Sequence, residues 1–86
     1  MHWVYMIRCA DDVLYVGETS DVPRRIGMHN DGIVFFTAAR RPVQLIYAEQ
    51  LPTRYLALRR ERQLKHWTRV KKEALARGDL KALKAL

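Results

Sequence analysis

Four side chains able to contact a phosphate or exchange a proton lie in the first third of the chain. Tyr5 and Tyr15 are phenols in two short apolar runs, and Arg25 and His29 follow four residues apart. That spacing places the guanidinium and the imidazole on one helix face. Helix N-termini favour anions, and arginine makes bidentate contacts with phosphate. The group predicts an anion site near the strand-to-helix junction.

Each of these residues also has a structural interpretation. Either tyrosine alone could be a strand aromatic that packs in the core. His29 could be a partly buried histidine satisfied by a backbone carbonyl. Spacing alone leaves both interpretations open.

Glu61 is the only acid in the first part of a strongly basic segment. At about 100° per residue, it lies roughly 40° from Ala57, at the edge of an apolar helix stripe. The predicted stripe contains Ala57, Leu64, Trp67, Val70 and Ala74. Glu61 is either an i, i+4 partner of Lys65 on a solvated face or a carboxylate that meets a metal or Arg25.

The elements that must position these residues begin with a hairpin. Residues 3–9 and 13–17 are two β-prone runs around a polar loop at 10–12. A three-residue loop gives paired residue numbers that sum to 22. In that register Tyr5 and Tyr15 share a sheet face, whereas a one-residue slip would separate them.

The first helix has recognisable start and stop signals. Ser20 or Asp21 can cap its N-terminus, and Pro23 suits its first turn. We expect it to run to about Asn30 and to end at Gly32, which can adopt the left-handed conformation.

The remaining segments complete a small α/β (α+β) fold. In order, we predict a loop over 33–41, a strand over 43–49, a long helix over 54–76 broken by Gly78, and a short terminal helix capped by Asp79. The element order is β-β-α-β-α-α. We expect one domain over 1–86, with a three-stranded antiparallel sheet flanked by helices.

Charge is concentrated in the C-terminal third. The net charge is +7, but residues 1–53 carry −1 and residues 54–86 carry +8. This asymmetry favours a polyanion, most commonly nucleic acid, over an ordinary solvated face. The candidate nucleic-acid contacts are Arg24, Arg40, Arg41, Arg60, Lys65, Arg69, Lys71 and Lys72.

The cellular setting is predicted from what the sequence contains. Its single cysteine, Cys9, cannot form an internal disulfide, which fits a reducing cytoplasm. The N-terminus does not read as a signal peptide, and no apolar run is long enough for a membrane span. We therefore expect a cytoplasmic protein.

Together these residues resemble the GIY-YIG nuclease domain. The first signature tripeptide is Trp3-Val4-Tyr5, with Trp3 in place of glycine, and the second is Tyr15-Val16-Gly17. Arg25, His29 and Glu61 match the family's helix arginine, its histidine and its metal-binding glutamate. The segments around 37–49 and 60–75 resemble small stand-alone bacterial members, the YhbQ-like proteins.

The resemblance implies metal-assisted hydrolysis of a DNA phosphodiester. Glu61 would bind Mg²⁺ or Mn²⁺, Tyr5 would be the general base, and Tyr15 would position the phosphate or water. Arg25 would neutralise developing charge, and His29 or the cluster around it would lower the cost of deprotonating Tyr5. We expect these five side chains to converge in one shallow, solvent-open cleft.

The implied partner is DNA that is single-stranded, branched or flapped. We expect selectivity for DNA structure rather than sequence, in repair or recombination, by a monomer or weak dimer. The alternative is a non-catalytic nucleic-acid-binding module that acts through a partner protein.

Overall fold

A computed structural model describes residues 1–85 of the chain. Its elements are β1 (His2–Arg8), β2 (Leu14–Thr19), α1 (Val22–Asn30), α2 (Phe35–Ala38), β3 (Gln44–Leu51), α3 (Arg54–Lys65), α4 (Arg69–Arg77) and α5 (Leu80–Ala85). The strands form one antiparallel sheet in the order β2-β1-β3. The predicted fold class, a three-stranded antiparallel sheet flanked by helices, is confirmed.

The hairpin has the predicted register. Tyr5 lies opposite Gly17, and Ile7 lies opposite Tyr15, so each pair of residue numbers sums to 22. Because strand side chains alternate between faces, Tyr5 and Tyr15 lie on the same face of the sheet.

The two faces of the sheet bury different clusters. The cluster under α3, here called the α3 face, is formed by Val4, Met6, Val16, Ala57 and Leu64. The opposite cluster, here called the α1 face, is formed by Tyr5, Ile7, Cys9 and Val43, with Val13, Tyr15 and Ile26 packed against it. The α1 face therefore carries both tyrosines of the candidate site.

The ends of α1 match their predicted signals. The Asp21 side chain accepts a hydrogen bond from the Arg24 backbone N–H at 3.1 Å, and Pro23 lies in the first turn. After the helix, Gly32 has a φ of 79°, the left-handed conformation that glycine adopts without strain. This helix ties Arg25 and His29 to the end of β2.

The prediction of a loop over 33–41 is wrong, because this segment contains the single turn α2. Thr37 in this turn is fully buried, and its side chain contacts His29. That contact joins residues eight positions apart, so the local sequence pattern does not reveal it.

The prediction of one long helix over 54–76 is also wrong. α3 ends at Lys65, and the Thr68 side chain caps α4 by accepting a hydrogen bond from the Lys71 N–H at 3.2 Å. The break reorients the predicted apolar stripe, so Val70 is 62 % exposed while Leu64 and Ala74 are buried.

The C-terminal signals are confirmed. Gly78 ends α4 with a φ of 71°, and Asp79 caps α5 by accepting a hydrogen bond from the Ala82 N–H at 3.0 Å. No helix among residues 1–85 is both long and apolar enough to cross a membrane.

Candidate active site

A buried series of hydrogen bonds forms the centre of the α1 face. The Tyr5 hydroxyl lies 2.8 Å from His29 Nε2, and His29 Nδ1 lies 2.7 Å from Thr37 Oγ1. Thr37 Oγ1 in turn lies 3.4 Å from the carbonyl oxygen of Val34. β1, α1 and α2 each contribute one side chain to this Tyr5–His29–Thr37 series.

The hydrogen-bond partners fix the direction of the series. The Val34 carbonyl can only accept, so the Thr37 hydroxyl donates to it and accepts from His29 Nδ1–H. His29 Nε2 then carries no proton and accepts from the Tyr5 hydroxyl. Burial lowers the pKa of His29 below 6.5, and the positive charge of Arg25 lowers this pKa further. At neutral pH the imidazole is therefore neutral, and Nε2 lies within hydrogen-bond distance of the Tyr5 hydroxyl.

Gly17 allows Tyr5 to occupy its position. Tyr5 of β1 lies directly opposite Gly17 of β2, and its ring lies against this glycine. A Cβ atom at position 17 would lie 2.5 Å from the Tyr5 hydroxyl oxygen. A glycine is required here by this close approach, not by an unusual backbone conformation.

Tyr15 lies between this series and α2. Its ring centroid is 5.2 Å from that of His29, 6.4 Å from that of Tyr5 and 5.5 Å from that of Phe36. Unlike Tyr5, which is 1 % exposed, Tyr15 is only partly buried. Tyr15 is thus the phenol that an arriving ligand meets first.

Arg25 supplies positive charge to the site. It lines a cleft of about 250 Å³ beside Thr19, Ser20, Asp21, Arg24 and Met28.

Burial raises the pKa of Tyr5 above its ordinary 10.0. The charges of Tyr15, Glu61 and Glu18 add to this effect, whereas the charge of Arg25 opposes it. Tyr5 is therefore a neutral hydrogen-bond donor in the resting protein.

The prediction of a solvent-open cleft is wrong for two of the five residues. Tyr5 and His29 are 1 % and 0 % exposed. His29 contacts Thr37 of α2, a turn that the sequence did not predict, and Tyr5 lies against His29 and Tyr15. The structure does bring Tyr5, Tyr15 and His29 into contact and places Arg25 within electrostatic reach of them.

Glu61 approaches the site from α3. Its carboxylate lies 3.4 Å from Lys65 Nζ, with the Glu61 side chain 20 % exposed. This is the first of the two alternatives for Glu61, an i, i+4 ion pair with Lys65. Among the described residues, Glu61 has no ion pair with Arg25. Its charge nevertheless acts on the Tyr5 phenol. Within residues 1–85, no three His, Cys, Asp or Glu side chains are grouped as a metal site.

Sequence reasoning missed Thr37 and Glu18. Thr37 orients His29, but a threonine in a presumed loop carries no signal of this role. Glu18 follows Gly17 in β2, and its buried Oε2 lacks a hydrogen-bond partner among the described residues. His2 Nε2 lies 3.8 Å from Glu18 Oε2, and Arg54 Nε lies 3.7 Å from Glu18 Oε1. An acid directly after the second signature tripeptide was the available signal for Glu18.

The eight predicted nucleic-acid contacts are spread over several segments. Arg24 lines the cleft beside Arg25, and Arg40 and Arg41 follow α2. Lys65 pairs with Glu61. The structure therefore does not gather these cations on one long helix.

Besides Lys65, three more of the predicted cations on α3 and α4 have intramolecular contacts. Arg60 and Lys71 lie over the Trp67 ring, 5.3 and 4.1 Å from its centroid. Arg69 lies 2.8 Å from an Asp12 carboxylate oxygen. Lys72, also on α4, completes the predicted set.

A known class of domain has this arrangement: a hairpin with two tyrosines on one face, followed by a helix with an arginine and a histidine. Residues 1–74 match the family model of the GIY-YIG catalytic domain. The chain therefore belongs to the GIY-YIG family, as its signature residues predicted. Membership of this nuclease family supports an endonuclease-type function.

Particular relatives are UPF0213 proteins. The chain is 47 % identical to one from Haloquadratum walsbyi over 87 % of this chain and 85 % of that protein. It is 44 % identical to one from Bacillus pumilus over 84 % of this chain and 74 % of that protein. The solution NMR structure of the UPF0213 protein BH0048 from Bacillus halodurans matches with a TM-score of 0.59 and 38 % identity. That match covers 91 % of this chain and 84 % of the other.

Proposed function

We propose that this protein is a metal-dependent endonuclease that hydrolyses DNA phosphodiester bonds. The observation that carries the proposal is the Tyr5–His29–Thr37 series, which joins a phenol to a neutral, oriented imidazole. It lies beside Tyr15 and within electrostatic reach of Arg25. This arrangement suits a reaction that removes a proton from water next to a phosphate.

Tyr5 and His29 act together as the general base. The Tyr5 oxygen takes a proton from the attacking water while the Tyr5 proton passes to His29 Nε2. The water oxygen bonds to phosphorus, the phosphorus–oxygen bond to the leaving group breaks, and the departing oxygen takes a proton from solvent. A free phenolate would be costly, because the pKa of Tyr5 is raised by its burial. Concerted transfer to His29 avoids that species.

Arg25 and Tyr15 act on the phosphate. A guanidinium can make bidentate contacts with phosphate oxygens and neutralise charge that grows in the transition state. Tyr15, the more accessible phenol, orients the phosphate or the water through its hydroxyl. Because Tyr5 is buried, the attacking water must enter together with the substrate.

The residues present fit a hard divalent cation. Mg²⁺ is commonly bound through one or two carboxylates, with substrate phosphate oxygens and water completing its coordination. Glu61 is a partly accessible carboxylate whose charge reaches Tyr5. Because substrate and water complete the coordination, a site of this kind does not need three protein ligands. Glu61 would hold Mg²⁺ or Mn²⁺, and the bound ion would supply charge stabilisation at the leaving oxygen.

The proposed substrate is DNA with an unpaired segment, whether single-stranded, flapped or branched. In the proposed site the two phenols and the guanidinium act on phosphate and water, and contacts with phosphate carry no sequence information. Selectivity for structure over sequence follows. Such an activity fits DNA repair or recombination in the cytoplasm, with the protein acting as a monomer or weak dimer or through a protein partner.

The proposal is tested by a nicking assay with Mg²⁺ or Mn²⁺ on single-stranded, flapped and branched DNA. Wild-type protein should cleave at least one substrate, and Tyr5→Phe should be slower by about 10²- to 10⁴-fold. Tyr55→Phe is the matched control, because Tyr55 is an exposed tyrosine on α3, and it should cleave at the wild-type rate.

Thermal unfolding must accompany this assay. Tyr5→Phe leaves His29 Nε2 buried without its donor, which costs about 1–3 kcal/mol. Equal cleavage by wild type and folded Tyr5→Phe would contradict the proposed base.

A second candidate function is a nucleic-acid-binding module without catalysis. The burial of Tyr5 and the Glu61–Lys65 ion pair favour it. Cleavage absent from wild type on every substrate, with salt-dependent DNA binding retained, would establish this alternative. Each phosphate contact should then contribute about −0.7 to −0.9 to the log–log salt slope.

A further inference from the structure

An almost fully exposed phenylalanine lies beside the candidate active site. Phe35 in α2 is 96 % exposed, and its neighbours Ile33 and Phe36 are 65 % and 46 % exposed. These three residues are here called the α2 patch. A ring this exposed contributes little to the hydrophobic stability of the fold. Apolar surface of this kind commonly marks an interaction site.

The position of the α2 patch is fixed by the active site itself. Thr37 in the same turn is bonded to His29, and the Phe36 ring lies 5.5 Å from the Tyr15 ring. Arg40 covers the Phe36 ring at 4.7 Å from its centroid. Phe36 is thus held between a tyrosine and an arginine, whereas the Phe35 ring meets solvent.

The surrounding charge favours a nucleic-acid base over an apolar protein surface as the occupant. Arg41, which is exposed, and Arg40, which also pairs with Asp11, follow within three residues of the end of α2. Aromatic rings interleaved with cations are the means by which proteins hold single strands, because every base offers a stacking face and every phosphate a charge.

We propose that Phe35 is a stacking platform for the base of a nucleotide next to the phosphodiester bond that is cleaved. This inference rests on the proposed function and names the substrate feature that the site selects. In a duplex, both faces of a base are covered by its neighbours. A base must therefore be unpaired and unstacked to lie on Phe35, so Phe35 selects single-stranded or locally opened DNA.

The test is DNA affinity in EDTA, where cleavage does not interfere. The probe is a short single strand that carries the fluorescent base 2-aminopurine, whose emission falls on stacking. Phe35→Ala should weaken single-strand binding by about 5- to 150-fold, the range for loss of one stacked base. It should also abolish the fluorescence change, and Phe35→Trp should restore both.

Two matched measurements isolate the ring. Ile33→Ala removes an exposed apolar side chain from the same patch without removing a stacking face, and its single-strand affinity should stay within twofold of wild type. Blunt duplex affinity should be equal in wild type and Phe35→Ala. A larger loss for Ile33→Ala than for Phe35→Ala would overturn the stacking role.

The outcomes separate this inference from the proposed function. Unchanged single-strand affinity in Phe35→Ala overturns the platform even if wild type cleaves DNA. A Phe35-dependent self-association with unchanged DNA affinity also overturns it and assigns the patch to a protein contact. Loss of single-strand affinity in a protein that never cleaves supports the platform while the nuclease proposal fails.

Discussion

β1 sends Val4 and Met6 to the α3 face and Tyr5 and Ile7 to the α1 face. On the α3 face the buried side chains are apolar and pack against one another and against partly buried residues such as Leu51, Trp67 and Leu75. On the α1 face a buried phenol, an imidazole and a hydroxyl depend on each other for hydrogen bonds. On one side, β1 therefore supports an apolar core whose residues could be replaced by others of similar volume. On the other side, it supports a series of polar side chains that each need a specific partner.

The difference predicts how each face responds to substitution. An apolar core loses stability in proportion to the cavity that is made, and hydrophobic replacements of similar volume are tolerated. A buried polar series is disrupted by the loss of any one partner, because the remaining groups stay desolvated. Glu61 is the exception that sharpens the comparison, since it belongs to α3 yet acts on Tyr5 of the α1 face.

The largest effect expected outside the Tyr5–His29–Thr37 series is that of Glu61→Gln. We expect cleavage to fall by about two to three orders of magnitude, because a bound cation supplies several kcal/mol to the transition state and an amide is a poor Mg²⁺ ligand. Glutamine keeps the volume, so stability should change by less than about 1 kcal/mol. DNA affinity in EDTA should persist or rise, because a negative charge has been removed.

Lys65→Gln is the matched control for Glu61→Gln. It removes the same ion pair from the other side and leaves the carboxylate in place. Nicking rates, DNA affinity and thermal midpoints should be compared for wild type and both variants. If Lys65→Gln lost as much cleavage as Glu61→Gln, the ion pair would be the reason and Glu61 would not be a metal ligand.

Gly17→Ala should have the next largest effect on cleavage. The new methyl group would lie 2.5 Å from the Tyr5 hydroxyl, so the phenol must move away from His29. A displacement of about 1 Å in a reacting group can cost roughly 100-fold in rate. The measurement is the nicking rate of the folded variant.

Gly27→Ala makes the same chemical change where space is open. An added Cβ at Gly27 in α1 meets no atom within 4 Å, and alanine is favoured over glycine in a helix by about 0.5–1 kcal/mol. This variant should be slightly more stable and fully active. Equal activity in Gly17→Ala and Gly27→Ala would show that the Tyr5–His29 contact is not needed for cleavage.

The sequence predicted those parts of the site that depend on local structure. The register of a tight hairpin follows from its loop length, so the shared face of Tyr5 and Tyr15 could be deduced. The i, i+4 relation of Arg25 and His29 follows from helix geometry once Asp21 and Pro23 mark the helix start.

The parts that the sequence did not predict depend on contacts between distant segments. α2 is a single turn, too short to be stable alone, and Thr37 within it is tied to His29. The break between α3 and α4 lies where Trp67 packs between Arg60 and Lys71. A helical pattern in residue types continues through this break, so periodicity could not show it.

Leu64→Ala tests the α3 face, where we expect a stability effect without loss of chemistry. Leu64 is fully buried in the apolar cluster, and removing such a side chain costs about 2–5 kcal/mol. Below its lowered midpoint the variant should cleave at a rate close to wild type. Denaturant unfolding and nicking rates should be measured at the same temperature.

Val70→Ala is the matched control for the α3 face. Val70 is 62 % exposed because α3 and α4 are separate helices, so its truncation should change stability by less than about 0.5 kcal/mol. A cost similar to that of Leu64→Ala would indicate that one continuous helix buries both residues.

The smallest expected effect is a pH dependence that belongs to the α1 face alone. The pKa of His29 in the folded protein is lowered from 6.5, by burial first and by Arg25 second. As the pH falls through 6.5, the unfolded chain therefore binds more protons than the folded protein. The free energy of unfolding should decline below that pH and reach its full value above it. Cleavage should decline on the same acid side, because a protonated His29 cannot accept the Tyr5 proton. Urea unfolding between pH 7.5 and 5.5 measures the slope of the free energy of unfolding against pH.

The control is a variant with His2→Gln and His66→Gln, which keeps only His29 as a histidine and should retain the slope. If that variant lost the slope, His2 or His66 would be its source, and the loss of stability at acid pH could not be assigned to the Tyr5–His29–Thr37 series.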